Sequence, residues 1–330
     1  MRKWAWAAVC SGLVSACGGG GGDGGPPAPA ASVAITSANQ QQVARAAASS
    51  VTSLASTGGL GGVASSSGAS VARLPGLSRQ VALALGAARE SALSARARPL
   101  ATASEQIDCP AGGSITLTLT YSNASQFTPG DTLGFTFNNC QTTATDNTNG
   151  TMSIAMSSYA ETAVGGNFAG TMSLNLTATE GDRTSAVSGS VSANYADLSA
   201  TSSRLDLSVG SSGLTASVTT AGGTSETIGY VSGFTISETD TSTSSSVTVN
   251  GSIDSSRLAG RITLQTATPI VQLAADAYPS SGVLRVTGAG GSALLLTAQS
   301  ATALQVQLDA NGDGTYEASA TYTWAQVLPG

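Results

Sequence analysis

The spacing of apolar positions changes once along this chain. Before residue 101 they recur every three or four residues; from Cys109 onward they recur every second residue. The first spacing is that of a helix, the second that of a strand with one buried face. Over residues 35–55, Val43, Ala47, Val51 and Leu54 fall on one helical stripe, and Thr36 or Ser37 can cap its start. A second helix is predicted from about Pro75, at the favoured first position, to near Pro99. Its stripe is Leu77, Val81, Leu85, Ala88 and Ala92, with Arg79, Arg89 and Arg96 outside it. Residues 56–70, rich in Gly and Ser, link the two helices. The second helix reads either as a membrane-surface amphipath or as a cover for a sheet. Its alanine-rich stripe would insert weakly, which favours the cover.

The strand pattern opens with Ile115, Leu117, Leu119 and Tyr121 alternating with Thr116, Thr118 and Thr120. Leu133, Phe135 and Phe137 follow in the same manner after a turn-rich stretch, which predicts an antiparallel pair. Further on, Leu174 and Leu176 alternate with Ser173 and Asn175, and Leu205, Leu207 and Val209 with Arg204, Asp206 and Ser208. A repeat runs through this region: Gly150-Thr151-Met152-Ser153-Ile154, Gly170-Thr171-Met172-Ser173-Leu174 and Gly189-Ser190-Val191-Ser192-Ala193. One repeat is expected to be one hairpin. The last strand is expected over 316–324, with Tyr316, Ala318, Ala320, Tyr322 and Trp324 on one face. The fold class is therefore mainly β. A long antiparallel meander curls into an open or closed β-barrel-like sheet, and the two N-terminal helices pack on its apolar face. A membrane-spanning barrel fits poorly, because aromatic girdles are missing and the strands are rich in Ser and Thr. A parallel β-helix would show shorter, continuous repeats.

Composition adds a polarity to this plan. Only 10% of the 330 residues are charged and the formal net charge is -6, which argues against nucleic acid as a partner. Residues 17–100 hold six arginines and two acids, whereas residues 101–330 hold five arginines and seventeen acids. A basic front and an acidic body suggest docking of one on the other; anionic lipid is the alternative partner for the front.

The start of the chain changes the picture most. Arg2 and Lys3 precede an apolar run from Trp4 to Val14, about half of what a bilayer crossing needs. The run ends in Val14-Ser15-Ala16-Cys17, followed by Gly18 to Gly22. These four residues resemble the lipobox of bacterial lipoproteins. The resemblance implies cleavage before Cys17, acylation of Cys17 by several fatty acyl chains such as palmitate, and a permanent membrane anchor. An ordinary cleaved signal with a spare cysteine is the other reading. In the sorting rule of that family an Asp after the cysteine retains the protein in the inner membrane. Gly18 stands there, so the resemblance implies the outer membrane. The expected organisation is a signal peptide over 1–16, the lipidated cysteine and a Gly/Pro/Ala tether over 17–34, a helical segment over 35–100 and the β body over 101–330. The stretched tether, which has no apolar pattern, would reach roughly 50 Å. The chain as a whole is similar in style to proteobacterial outer-membrane lipoproteins with a β-rich body, a likeness that brings no activity with it.

What chemistry is left is narrow. There is no His, and the single lysine lies in the signal, which excludes a Ser-His-Asp triad, a His-ligated zinc site and a lysine Schiff base. With Cys10 removed and Cys17 acylated, Cys109 and Cys140 remain, at the open ends of the first two strands. In an oxidising compartment they read as one disulfide. Asp309-Ala310-Asn311-Gly312-Asp313-Gly314-Thr315-Tyr316-Glu317 resembles the first half of an EF-hand loop, but Ala320 stands at the twelfth position and strands flank it. Asp309, Asn311, Asp313, the Thr315 carbonyl and Glu317 are the candidate calcium ligands. Asn311-Gly312 and Asp313-Gly314 are equally good hairpin turns. Three functions are in view. One is a non-catalytic envelope protein that binds a lipid or other hydrophobic ligand in its curved sheet. Another is a calcium-stabilised surface protein with a protein partner. The last is a carboxylate-dependent glycosidase drawing on Glu161, Glu180, Asp182, Glu226 or Glu238, none of which the sequence pairs.

Overall fold

The computed structural model describes residues 30–58, 103–122, 127–163, 165–220, 222–223 and 225–328. Fifteen strands form one antiparallel sheet. In chain order they are β1 (Ala103–Asp108), β2 (Gly112–Thr120), β3 (Thr132–Gln141), β4 (Asp146–Thr162) and β5 (Gly165–Glu180). Then come β6 (Arg183–Ser199), β7 (Ser202–Thr220), β8 (Ser225–Tyr230), β9 (Thr235–Thr241) and β10 (Ser244–Ser255). The series closes with β11 (Gly260–Leu273), β12 (Ser281–Thr287), β13 (Ala293–Ser300), β14 (Ala303–Asp309) and β15 (Ala318–Thr323). Each pairs with its neighbour in sequence, as a meander requires, with one exception. β8 and β9 lie end to end between β7 and β10 and act as one broken strand. The break falls at 231–234, where Gly233 takes a positive φ and Phe234 turns inward to meet Tyr230 edge-on at 5.0 Å.

One face of the sheet is apolar and buried. Leu117, Phe135, Met152, Ile154, Leu176, Val191, Leu207, Ile253, Leu264, Val286, Leu294 and Val306 lie on it, and the intervening Ser and Thr residues face water. The glycine repeat marks single strands, not hairpins as the spacing predicts: Gly150, Gly170 and Gly189 lie in β4, β5 and β6. The strands here are longer than average, 16 to 19 residues from β4 to β7, so one repeat covers one strand and its turn. A strand of this length has to bend if the sheet is to curl. Gly150 and Gly189 supply the bends with φ of +115° and +130°. A Cβ on Gly150 would sit 2.1 Å from the Asn175 carbonyl oxygen, so no other residue fits there.

The N-terminal part differs from expectation in two ways. The first helix, α1, spans Gln40–Gly58 instead of beginning near Ile35. Asn39 delays it: its side chain accepts from the Thr36 N–H at 2.9 Å and donates to the Ala34 carbonyl at 2.9 Å, which holds a turn ahead of the helix. Secondly, the end of the expected tether packs. Ser32 pairs in parallel with Arg261, the Arg261 N–H donates to the Ala31 carbonyl and the Val33 N–H to the Arg261 carbonyl. Ala31 also covers Gly260, where a Cβ would stand 2.6 Å from its carbonyl oxygen. The second predicted helix, over 75–99, lies outside the described residues. The stripe of α1 is buried as expected at Val43, Ala47 and Val51. It packs on β7, β9, β10 and β13, and the Tyr230 hydroxyl donates to the Ser50 carbonyl at 2.9 Å.

The last strand stops at Thr323, short of the expected Trp324. Trp324 opens a helical turn, α2 (Trp324–Val327), capped reciprocally by Thr323 and Gln326. Its indole N–H donates to the Ser300 carbonyl and its ring stacks on Tyr278. Strand β1 is an addition, because Ala103–Asp108 has no apolar alternation. Cys109 and Cys140 form a disulfide with Cα atoms 5.4 Å apart, linking the end of β1 to β3 around the β2–β3 hairpin.

Candidate functional site

Cys17, the predicted lipidation site, lies outside the described residues. The loop between β14 and β15 brings Asp309, Asp313 and Glu317 together, with carboxylate oxygens within 4.8 Å of one another. Backbone donors already hold these groups. Asp309, almost fully buried, accepts from the N–H of Gly312 and of Gly314. Asp313 accepts from the Thr315 N–H and from the Asn311 amide, and its own N–H donates to Asn311 Oδ1. Glu317 accepts from the Ala310 N–H. The Thr315 N–H and the Asn311 amide hold the Asp313 carboxyl below its usual range. This network closes the turn by itself. A cation there would have to share these carboxylate oxygens with the backbone donors that already hold them.

Other carboxylates act as turn clasps. Asp131 accepts four hydrogen bonds from the N–H and hydroxyl of Ser122 and of Thr128. Asp146 accepts from the N–H groups of Thr142 and Thr143 and from the Thr142 hydroxyl. Burial works against both charges, yet the hydrogen bonds outweigh it and hold both carboxyls below their usual range. Among the acids considered for glycosidase chemistry, Glu226 pairs with Arg257 at 3.1 Å. Glu238 is in a different situation.

The inner face carries a continuous cross-strand row near one end. Tyr159 on β4 stands opposite Phe168 on β5, Phe168 opposite Tyr195 on β6, and Tyr195 opposite Leu205 on β7. Leu205 faces Glu238 on β9, Glu238 faces Val247 on β10, and Val247 faces Ile270 on β11. Side chains in such a row share one face of the sheet. Phe168 and Tyr195 stack at 5.4 Å, and Phe127 meets Tyr159 edge-on at 5.3 Å. These four rings are only half-buried, unlike Met156, Ala193 and Leu207 one step deeper. One step outward, the row is polar: Asp197, Ser203, Asp240, Ser245 and Gln272. Asp197 is engaged by the Tyr195 hydroxyl and the Gly166 N–H.

Glu238 is buried in the apolar row. The Ser245 hydroxyl donates to its Oε1 at 3.0 Å, and its Oε2 has no hydrogen-bond partner among the described residues. Burial, and after it the nearby Asp240 carboxylate, push the Glu238 carboxyl up to about 8. Asp240 is raised too, by its own burial. The sequence pattern contains the signal for this pair: Ile236, Glu238 and Asp240 share the inward parity of β9, so one acid lies in the buried row and the next at its polar rim. The row of rings has no such signal, because it depends on bulges that set the register. One of them lies between Met156 and Ser158 and turns Tyr159 inward. No protein-family model, curated protein or solved structure matches the chain.

Proposed function

We propose that this is a non-catalytic cell-envelope lipoprotein, anchored on the outer membrane through acylated Cys17, whose curved sheet takes up a hydrophobic or amphiphilic ligand. The observation that carries the reading is the end of the inner face. The half-buried rings of Phe127, Tyr159, Phe168 and Tyr195 lie directly beneath a polar rim. An apolar surface bordered by polar side chains suits a molecule with an oily body and a polar end. Whether the sheet remains open or closes into a barrel decides how much of the ligand is enclosed. In the described residues β1 and β15 are the two edges. Purified protein without its lipid is titrated with fluorescent fatty-acid and phospholipid probes. Saturable binding that Tyr195→Ala weakens supports the reading, and absence of binding to every probe overturns it.

A calcium-stabilised interaction protein is the second reading, and the convergence of Asp309, Asp313 and Glu317 favours it. Thermal unfolding in a few millimolar calcium is compared with unfolding in chelator, for wild type and Asp313→Ala. A higher wild-type midpoint in calcium, lost in the variant, supports it; equal midpoints leave the loop as a self-sufficient turn.

A further inference from the structure

We propose that Glu238 and Asp240 form a head-group site for an organic ammonium ion, the charged end of an amphiphile whose body lies along Leu205, Tyr195 and Phe168. The proposal rests on the ligand-binding reading above and specifies its ligand class. Two acids on the inward face of one strand, next to Leu205 and Val247, are costly unless something offsets them. Ser245 offsets one oxygen of Glu238; Oε2 is left with no described donor. An N–H donor carrying positive charge would engage Oε2 and take the place of the proton that burial makes the carboxyl keep.

Among the described residues, the elements next to the pair offer it no cation. On β7, Leu205 and Ser203 face the pair, and neither carries charge. On β10, Val247 and Ser245 face it. Beyond β7, β6 adds Tyr195 and a further acid, Asp197. α1, packed on β9 and β10, has one charged residue, Arg45, whose guanidinium donates to the Gln326 carbonyl at 2.8 Å. A bare divalent cation fits less well, since it needs six or more oxygens and the pair with Ser245 provides few. An ammonium group needs two or three acceptors. Tyr195 lies two strands, about 10 Å, away in the same row, where it would meet the body of the ligand and not its head. Asp240 is partly exposed while Glu238 is buried beneath it, so a ligand entering from the strand end meets Asp240 first.

The test uses three probes of equal chain length, each below its micelle-forming concentration: dodecylammonium, dodecanoate and dodecyl maltoside. Binding is measured by calorimetry at pH 7 in two buffers of different ionisation enthalpy. Dodecylammonium is expected to bind more than about tenfold tighter than dodecanoate, as a charge-assisted hydrogen bond implies. It is also expected to displace a proton from Glu238, seen as a buffer-dependent heat. Glu238→Gln and Asp240→Asn are expected to remove both the preference and the proton release while leaving maltoside binding intact. Equal binding of all three probes overturns the head-group site and keeps the apolar cleft. Binding of none overturns both. A preference for dodecylammonium that survives in both variants overturns the assignment to this pair.

Discussion

Glu238→Gln should flatten the dependence of stability on pH between 5 and 9 in the unliganded protein. Burial, and after it Asp240, push the native carboxyl up to about 8, against 4.5 for the free group. Between those values the folded state keeps a proton that the unfolded state has lost. Stability from this group is therefore complete below pH 4.5, falls as pH rises, and is gone above 8. The displacement corresponds to roughly 4 to 5 kcal/mol, of which about 4 is lost between pH 5 and 9. Local opening at the strand end, which lets water reach the charge, makes this an upper limit. Asp240, also raised, adds in the same direction. Gln keeps the shape and can still accept from Ser245, but it has no charge to bury. Urea unfolding of wild type and variant, followed by circular dichroism at pH 5, 7 and 9, measures the difference. The curves should nearly coincide at pH 5 and separate by kilocalories at pH 9, with the variant the more stable. Parallel pH profiles would show that the Glu238 carboxyl titrates alike in the folded and unfolded chain and would undo the reasoning.

Reducing Cys109–Cys140, whose residues are 31 apart in sequence, should cost about 3 to 4 kcal/mol by the chain-entropy argument; unchanged urea midpoints with and without reductant would contradict this. Asp131→Asn and Asp146→Asn should lower stability at neutral pH and flatten its fall in acid. Both carboxyls lie below their unfolded values, so their contribution is present above the usual carboxylate range and disappears as pH drops through the folded values. An acid-unfolding profile identical to wild type would refute that. Cys17→Ser should move the protein from the membrane fraction to the soluble one, and a variant still sedimenting with outer membrane would refute lipidation.

The antiparallel plan was legible because alternation survives wherever one face is buried. Leu174 and Leu176 against Ser173 and Asn175 is enough to orient a strand. The disulfide followed from two cysteines flanking a visible hairpin. Strand lengths were not legible. The Gly150, Gly170 and Gly189 spacing fits either a hairpin of short strands or one long strand, and only pairing partners distinguish the two. β1 is not legible in the sequence because Ser104, Glu105, Gln106 and Asp108 carry no periodicity; it pairs along β2 and packs Ile107 on the core. Trp324 was assigned to a strand because it continued the alternation of Tyr322, and the Thr323–Gln326 cap overrode that. Of the inner-face site, the sequence singles out Glu238 but not Asp240, whose only signal is the parity it shares with Glu238. Their meeting with Tyr159, Phe168 and Tyr195 depended on register across four strand pairs, which no local pattern encodes.

The parallel pairing of Ser32 with Arg261 also has a mechanical consequence. Tension applied from the N-terminal side reaches the folded body first at Ala31, whose carbonyl accepts from Arg261, and then at Val33, which bonds to Arg261 and to Ala289. Behind them the Ile35 N–H donates to the Ser292 hydroxyl. These few bonds stand in series along a short segment, so they would give way one after another before any long strand pair is loaded. Such a segment is a fuse: it can peel away over several residues while the sheet and the inner-face site stay whole.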